Sequence, residues 1–224
     1  MNFSETVRYF RFRVFQALLS PFSLWARRRR MRSMLELMRL HEGTSVLDLG
    51  GDPRTWDHEF LPPLQIKILN LPQVIEKSAD FRHSVEYIEG DGCNVEGLAA
   101  KSMDFVFSNS VIEHVGGAER RAQFAREVRR IGRSYWVQTP SIWFPIEAHS
   151  GMPLWWCYPQ GMRNWILRRW REKLPAWTEM IEGTTVVKRA ELERLFPDAE
   201  IKVERVFGIP KSYIAFKTVP LQAV

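Results

Sequence analysis

Over residues 45–138 short apolar runs alternate with longer stretches of helical spacing. Ser45–Leu49 is an apolar run that ends in Gly50-Gly51-Asp52-Pro53. Further runs at 66–70, 85–88, 103–107 and 135–138 predict four more strands. Between the last two, Phe124, Val128 and Ile131 fall on one face of a helix predicted over 118–131 and closed by Gly132. Strands that alternate with helices imply a parallel sheet covered on both faces. Upstream, Met31, Met34, Leu35 and Met38 follow the i, i+3, i+4, i+7 spacing of a helix with one buried face. Ser20-Pro21 suits its start, and Gly43 supplies the stop. Residues 5–19 have a weaker helical pattern, with Arg11 among the apolar positions. Near the other end a helix is predicted at 188–196, stopped by Pro197. Strands at 201–207 and 212–217 follow, joined by Gly208-Ile209-Pro210 as a hairpin.

Residues 143–177 break this rhythm. They hold six of the nine tryptophans, together with Pro145, Pro153, Pro159 and Pro175. The expected organisation is a basic helical extension over 1–43 and a main domain over 44–224, with an aromatic cap inserted at about 143–182.

Charge sharpens that division. The 224 residues carry a net charge of +6, yet residues 1–40 contain nine arginines and two glutamates, and the rest of the chain is close to neutral. A neutral body argues against a nucleic-acid footprint across the whole domain. The Arg27–Arg30 run, with Phe10, Phe12, Phe15, Phe22 and Trp25 nearby, suits three roles: docking 1–40 on anionic lipid, forming a homodimer contact, or covering a substrate site. Two cysteines, neither in a C-x-x-C pair, build no disulfide framework and no zinc site, so no metal is expected. Reduced thiols, no spanning apolar run and no clean leader point to a cytoplasmic protein, with the inner membrane surface as an alternative location.

In an open parallel sheet, ligands bind beyond the carboxyl ends of the strands. The residues at those ends are Asp48, Gly50 and Gly51, then Asn70, then Asp91 and Gly92, then Ser108 and Asn109. Paired glycines let the backbone approach a ligand. Asn70 can donate to and accept from ribose hydroxyls, and Asp91 can accept from an exocyclic amine. No phosphate-binding loop accompanies them, which points to a nucleoside without phosphates.

VLDLGG at 46–51, GDG at 90–92 and DFVFSNSVIEHV at 104–115 resemble the cofactor motifs of class I S-adenosylmethionine-dependent methyltransferases. The resemblance covers roughly residues 44–139, and the closing hairpin at 201–217 fits the same pattern. It implies an α/β, Rossmann-like sheet of seven strands with an antiparallel last strand. It implies S-adenosylmethionine as cofactor: Asp48, Gly50 and Gly51 against its methionine part, Asn70 at the ribose, Asp91 and Gly92 at the adenine, Ser108 and Asn109 near the sulfonium. VQTPSIWFPIEAH at 137–149 and the run 204–216 are similar to bacterial members associated with polysaccharide or secondary-metabolite pathways. The pattern is departed from at Asp52 and Arg54, where glycines are usual, and at Asn70, where an acid is usual.

Glu147 and His149 follow the fifth strand, where an acceptor would lie, and either could take a proton from a hydroxyl. The expected activity is therefore O-methylation of a small-molecule or saccharide acceptor. An RNA methyltransferase and a non-catalytic binding module of the same fold are the alternatives. His114 is expected as a wall or capping residue, and Cys157, beside Trp155 and Trp156, as buried packing.

Overall fold

The computed structural model describes residues 27–72, 82–147 and 152–219. The helix expected at 5–19 and His149 lie outside the described residues.

Seven strands form one sheet in the order β3-β2-β1-β4-β5-β7-β6. They are β1 (Ser45–Leu49), β2 (Gln65–Asn70), β3 (Ser84–Glu89), β4 (Met103–Asn109), β5 (Gly132–Pro140), β6 (Glu200–Val206) and β7 (Ile209–Lys217). All neighbours from β3 to β5 pair in parallel, and β7 runs antiparallel between β5 and β6. This is the seven-stranded sheet with an antiparallel last strand that the family resemblance implies. The hairpin turn sits slightly earlier than expected. Phe207 and Gly208, both at positive φ, make the two-residue turn, and β7 already begins at Ile209.

Each face has its own helices. α2 (Ala118–Ile131) and α5 (Arg189–Leu195) cover one face, burying Phe124, Val128 and Ile131 with Leu192. Gly132 joins α2 directly to β5; a methyl there would stand 2.6 Å from the Ser134 carbonyl oxygen, so only glycine permits the connection. The opposite face is covered by α1, described over residues 27–38, which buries Met31, Met34 and Met38 against Val46, Phe105, Phe107 and Trp136. The predicted stripe is the one that packs. The β1–β2 connection contributes only a single 3-10 turn, Pro53–Thr55, to this face. Trp56 fills the gap, its ring edge-on to Phe107 at 5.0 Å.

The cap region holds α3 (Gln160–Lys173) and α4 (Pro175–Gly183), the second of which the sequence pattern did not suggest. No residue of α3 is buried, although Trp155 beneath it is, stacked on Trp170 at 5.9 Å. Cys157 is exposed, contrary to its expected burial, because it closes a short 3-10 turn that turns inward through Trp155 alone.

Candidate functional site

Sheet order puts the ends of β1, β2 and β4 side by side. Gly50 takes a φ of 72° as the chain leaves β1, and its amide donates to Leu69 O at 2.8 Å. A methyl on Gly50 would meet the Val111 side chain at 2.7 Å. A methyl on Gly51 would collide with the carboxylate of Asp48. The backbone therefore crosses directly over that acid, which a side chain at either position would prevent.

Asp48 is fully buried. The indole Nε1 of Trp56 donates to its Oδ2 at 2.8 Å, and its Oδ1 has no hydrogen-bond partner among the described residues. Burial raises its pKa from an ordinary 3.8 to about 7; the Trp56 bond opposes the rise and the charge of Asp52 adds to it. A nearby cation would remove the cost of ionising it.

Asn70 is committed on one side only. Its Nδ2 donates to Gly51 O at 2.7 Å, clasping the turn, while its Oδ1 stays available as an acceptor. Asp91 accepts from the Cys93 amide at 2.9 Å through one oxygen and from Arg120 at 2.7 Å through the other. Burial opposes its ionisation, but these two bonds outweigh it and hold its pKa below the ordinary value. Gly92 leaves room for Phe124, 3.1 Å from where its Cβ would be. Ser108 Oγ donates to Leu49 O at 3.2 Å, so it braces β1 rather than pointing to solvent. Asn109 Oδ1 accepts from Arg30 of α1 at 2.7 Å. Asp52 and Arg54, the departures from the motif, pair with each other at the surface, where Asp52 caps the 3-10 turn.

These residues fit S-adenosylmethionine on two observations: a buried carboxylate oxygen without a donor, suited to a cationic ligand, and a turn whose glycines leave the backbone bare above it.

At the end of β5, one strand over from Asn109, Thr139, Pro140 and Ser141 line a narrow recess of about 20 Å³ with Glu147, Trp156 and Thr185. Glu147 is buried, held where Ile146 bridges to Pro153. A second buried carboxylate lies behind: Glu113 accepts from Thr139 Oγ1 at 3.1 Å, and its carbonyl takes both the amide and the hydroxyl of Thr185. His114 is exposed, with Nδ1 3.3 Å from Thr184 Oγ1. Sequence reasoning missed Glu113, Trp56 and Arg30. Glu113 stood in plain view beside His114, and Arg30 within the arginine run; for Trp56 the signal was an aromatic residue where a helix would normally begin.

The methyltransferase domain family model matches residues 69–134. Among curated proteins, none matches this chain in sequence. A protein of Anabaena variabilis, described as a methyltransferase from an antibiotic biosynthesis pathway, superposes with a TM-score of 0.51 at 17% identity, over 79% of this chain and 63% of its own. Phosphoethanolamine N-methyltransferase 2 of Haemonchus contortus, in complex with S-adenosyl-L-methionine, superposes with a TM-score of 0.50 at 15% identity, over 79% of this chain and 38% of its own. At these identities the agreement is one of fold.

Proposed function

We propose that this chain, whose residues 69–134 match the methyltransferase domain family, is an S-adenosylmethionine-dependent methyltransferase that methylates a hydroxyl of a small-molecule or saccharide acceptor bound at the surface beside the end of β5. The observation that carries the reading is the Asp48 oxygen under the Gly50–Gly51 turn, which has no hydrogen-bond partner among the described residues.

The donor supplies an electrophilic methyl on a sulfonium and leaves as a neutral thioether. Gly50 and Gly51 would admit its methionine part, with Asp48 balancing the positive charge. Asn70 Oδ1 would accept from a ribose hydroxyl while Nδ2 keeps the turn in place. Asp91 would receive the adenine amine, sharing its carboxylate with Arg120, and Gly92 would leave space beside the ring. Ser108 and Asn109 would shape the floor where the methyl departs. The protein's main contribution is to align the acceptor oxygen with the departing bond and to exclude water. Glu147, and His149 outside the described residues, would take the hydroxyl proton as the oxygen–carbon bond forms.

The non-catalytic alternative draws on one feature, the engagement of Asp91 by Arg120. S-adenosylhomocysteine separates the readings. At about 100 times its dissociation constant it should add about 2.7 kcal/mol, a rise of roughly 5–10 °C in Tm for a domain of this size. That rise in the wild type, lost in Asp91→Ala, supports the enzyme and warrants acceptor screening with labelled donor. No rise at millimolar ligand would sink it.

A further inference from the structure

The cap carries a feature that the proposed reaction does not use: the outer side of α3. Its large apolar residues are Met162, Trp165, Ile166, Leu167 and Trp170, and none of them is buried. Trp170 turns inward and stacks on Trp155, and Arg163 lies over Trp156 with its guanidinium carbon 5.4 Å from the ring centre. Met162 and Trp165 are 43% and 49% exposed. With Arg169 they follow the i, i+3, i+7 spacing of one side of a helix. Leu154 ahead of α3 and Leu174 behind it are exposed as well. Exposed apolar residues gathered on one element mark a contact with a partner.

Charge decides the kind of partner. α3 holds Arg163, Arg168, Arg169, Arg171 and Lys173 against one acid, Glu172. Two of these cations are engaged: Arg171 pairs with Glu182 of α4 at 2.5 Å, and Arg163 donates to Gln160. Arg168, Arg169 and Lys173 are exposed and form no ion pair among the described residues, neither with Glu172 nor with Glu179 of α4. Arg169 instead places its guanidinium carbon 4.3 Å from the centre of the Trp165 ring. Arg168 follows Trp165 by three positions and Lys173 follows Arg169 by four, so both border the same strip.

We infer that this side of α3 docks on the surface of an anionic lipid bilayer. A helix lying in the interface sets indole and thioether side chains at the edge of the acyl region while its cations reach the phosphates. Trp165 and Arg169, already in contact, supply both parts. A protein partner fits less well, because charged residues are depleted from the core of protein interfaces and here they interleave with the apolar ones. A second copy of this chain also fits less well, because two-fold pairing would set the strip's cations against their own images. The net charge of +6 draws the whole chain toward the same surface. Through Arg163, α3 adjoins Trp156, which lines the narrow recess at the end of β5, so the docked bilayer lies beside that end of the sheet. The docking stands independently of methyl transfer, because it is read without donor or acceptor.

The test uses the full chain, sedimented with phosphatidylcholine vesicles with and without phosphatidylglycerol. The wild type should bind the vesicles that contain phosphatidylglycerol, and should bind them less as salt is raised. The Met162→Gln/Trp165→Gln and Arg168→Gln/Arg169→Gln double variants should each lower the partition coefficient by at least ~10-fold while keeping the wild-type Tm. The two variants remove different chemistry, so a folding defect in one leaves the other as the test. Absence of wild-type binding overturns the inference. Unchanged binding in either folded variant overturns it too, and moves the contact to another surface such as the basic residues 1–40. A wild-type dimer in sedimentation velocity that these variants dissociate, without vesicle binding, would replace the bilayer by a second copy of the chain.

Discussion

Trp56 and Asp48 form a buried pair across the β1–β2 connection, with indole Nε1 2.8 Å from Oδ2. The pair joins two jobs in one contact. The ring closes the α1 face of the sheet, and the N–H fixes the one acid that lies beneath the glycine turn. Trp56→Phe keeps most of the apolar contact but leaves a buried carboxyl oxygen without its donor. The expected loss is about 2–3 kcal/mol of stability, measured by urea unfolding, with weaker S-adenosylhomocysteine binding alongside. Unchanged stability would mean that the indole bond contributes nothing.

The raised pKa of Asp48 makes the donor site pH-sensitive. Folded Asp48 holds its proton up to about pH 7, whereas in the unfolded chain it ionises near 3.8. The folded state therefore binds the extra proton between those values, and this group's contribution to stability falls as pH rises through that window. A bound cation favours the ionised form and drives the proton off. S-adenosylmethionine, which carries the sulfonium charge, should bind up to ~10-fold more tightly at pH 8 than at pH 6, and calorimetry in buffers of different ionisation enthalpy should detect proton release. Asp48→Asn should flatten both. A steep profile that survives in Asp48→Asn would assign the effect to another group.

Asn70→Asp restores the acid usual at this motif position, yet here it should weaken cofactor binding. The amide Nδ2 donates to Gly51 O, and a carboxylate would set oxygen against oxygen at that contact. The expected cost is about 1–2 kcal/mol, a roughly 5- to 30-fold rise in the dissociation constant. A tighter complex would show that the ribose, not the turn, governs this position.

Gly51→Ala places a methyl on the Asp48 carboxylate. The turn must shift, so S-adenosylhomocysteine should no longer raise Tm, and stability should fall by about 1–3 kcal/mol. Differential scanning fluorimetry of the variant with and without ligand reads both effects.

Glu147→Gln removes the proposed proton acceptor and little of the packing. Once an acceptor is known, kcat should drop ~10²–10⁴-fold, with the S-adenosylhomocysteine dissociation constant unchanged. A loss below about 10-fold would move the role to His149 or remove the need for a base.

Strand positions and the α1 stripe were legible because both obey a period: the Met31–Met34–Met38 spacing and the run from Met103 to Phe107 need only local pattern. The strand-end residues were legible because sheet topology gathers them. The clasp from Asn70 to Gly51 was not, since it depends on which way an amide points. The Arg30–Asn109 contact was not either, since 79 residues separate its partners and no periodicity spans them.

The helix that covers the α1 face comes from ahead of the sheet, not from the loop between β1 and β2. Its partners emerge late in synthesis: Arg30 waits 174 residues for Glu204, and Ser33 waits 169 for Lys202. Until the final hairpin leaves the ribosome, Met31 and Met34 can meet β1, β2 and β4 but α1 cannot be locked in place. Such long-range closure slows folding and leaves apolar surface open in the nascent chain. The strands β6 and β7 therefore determine when α1 can become native.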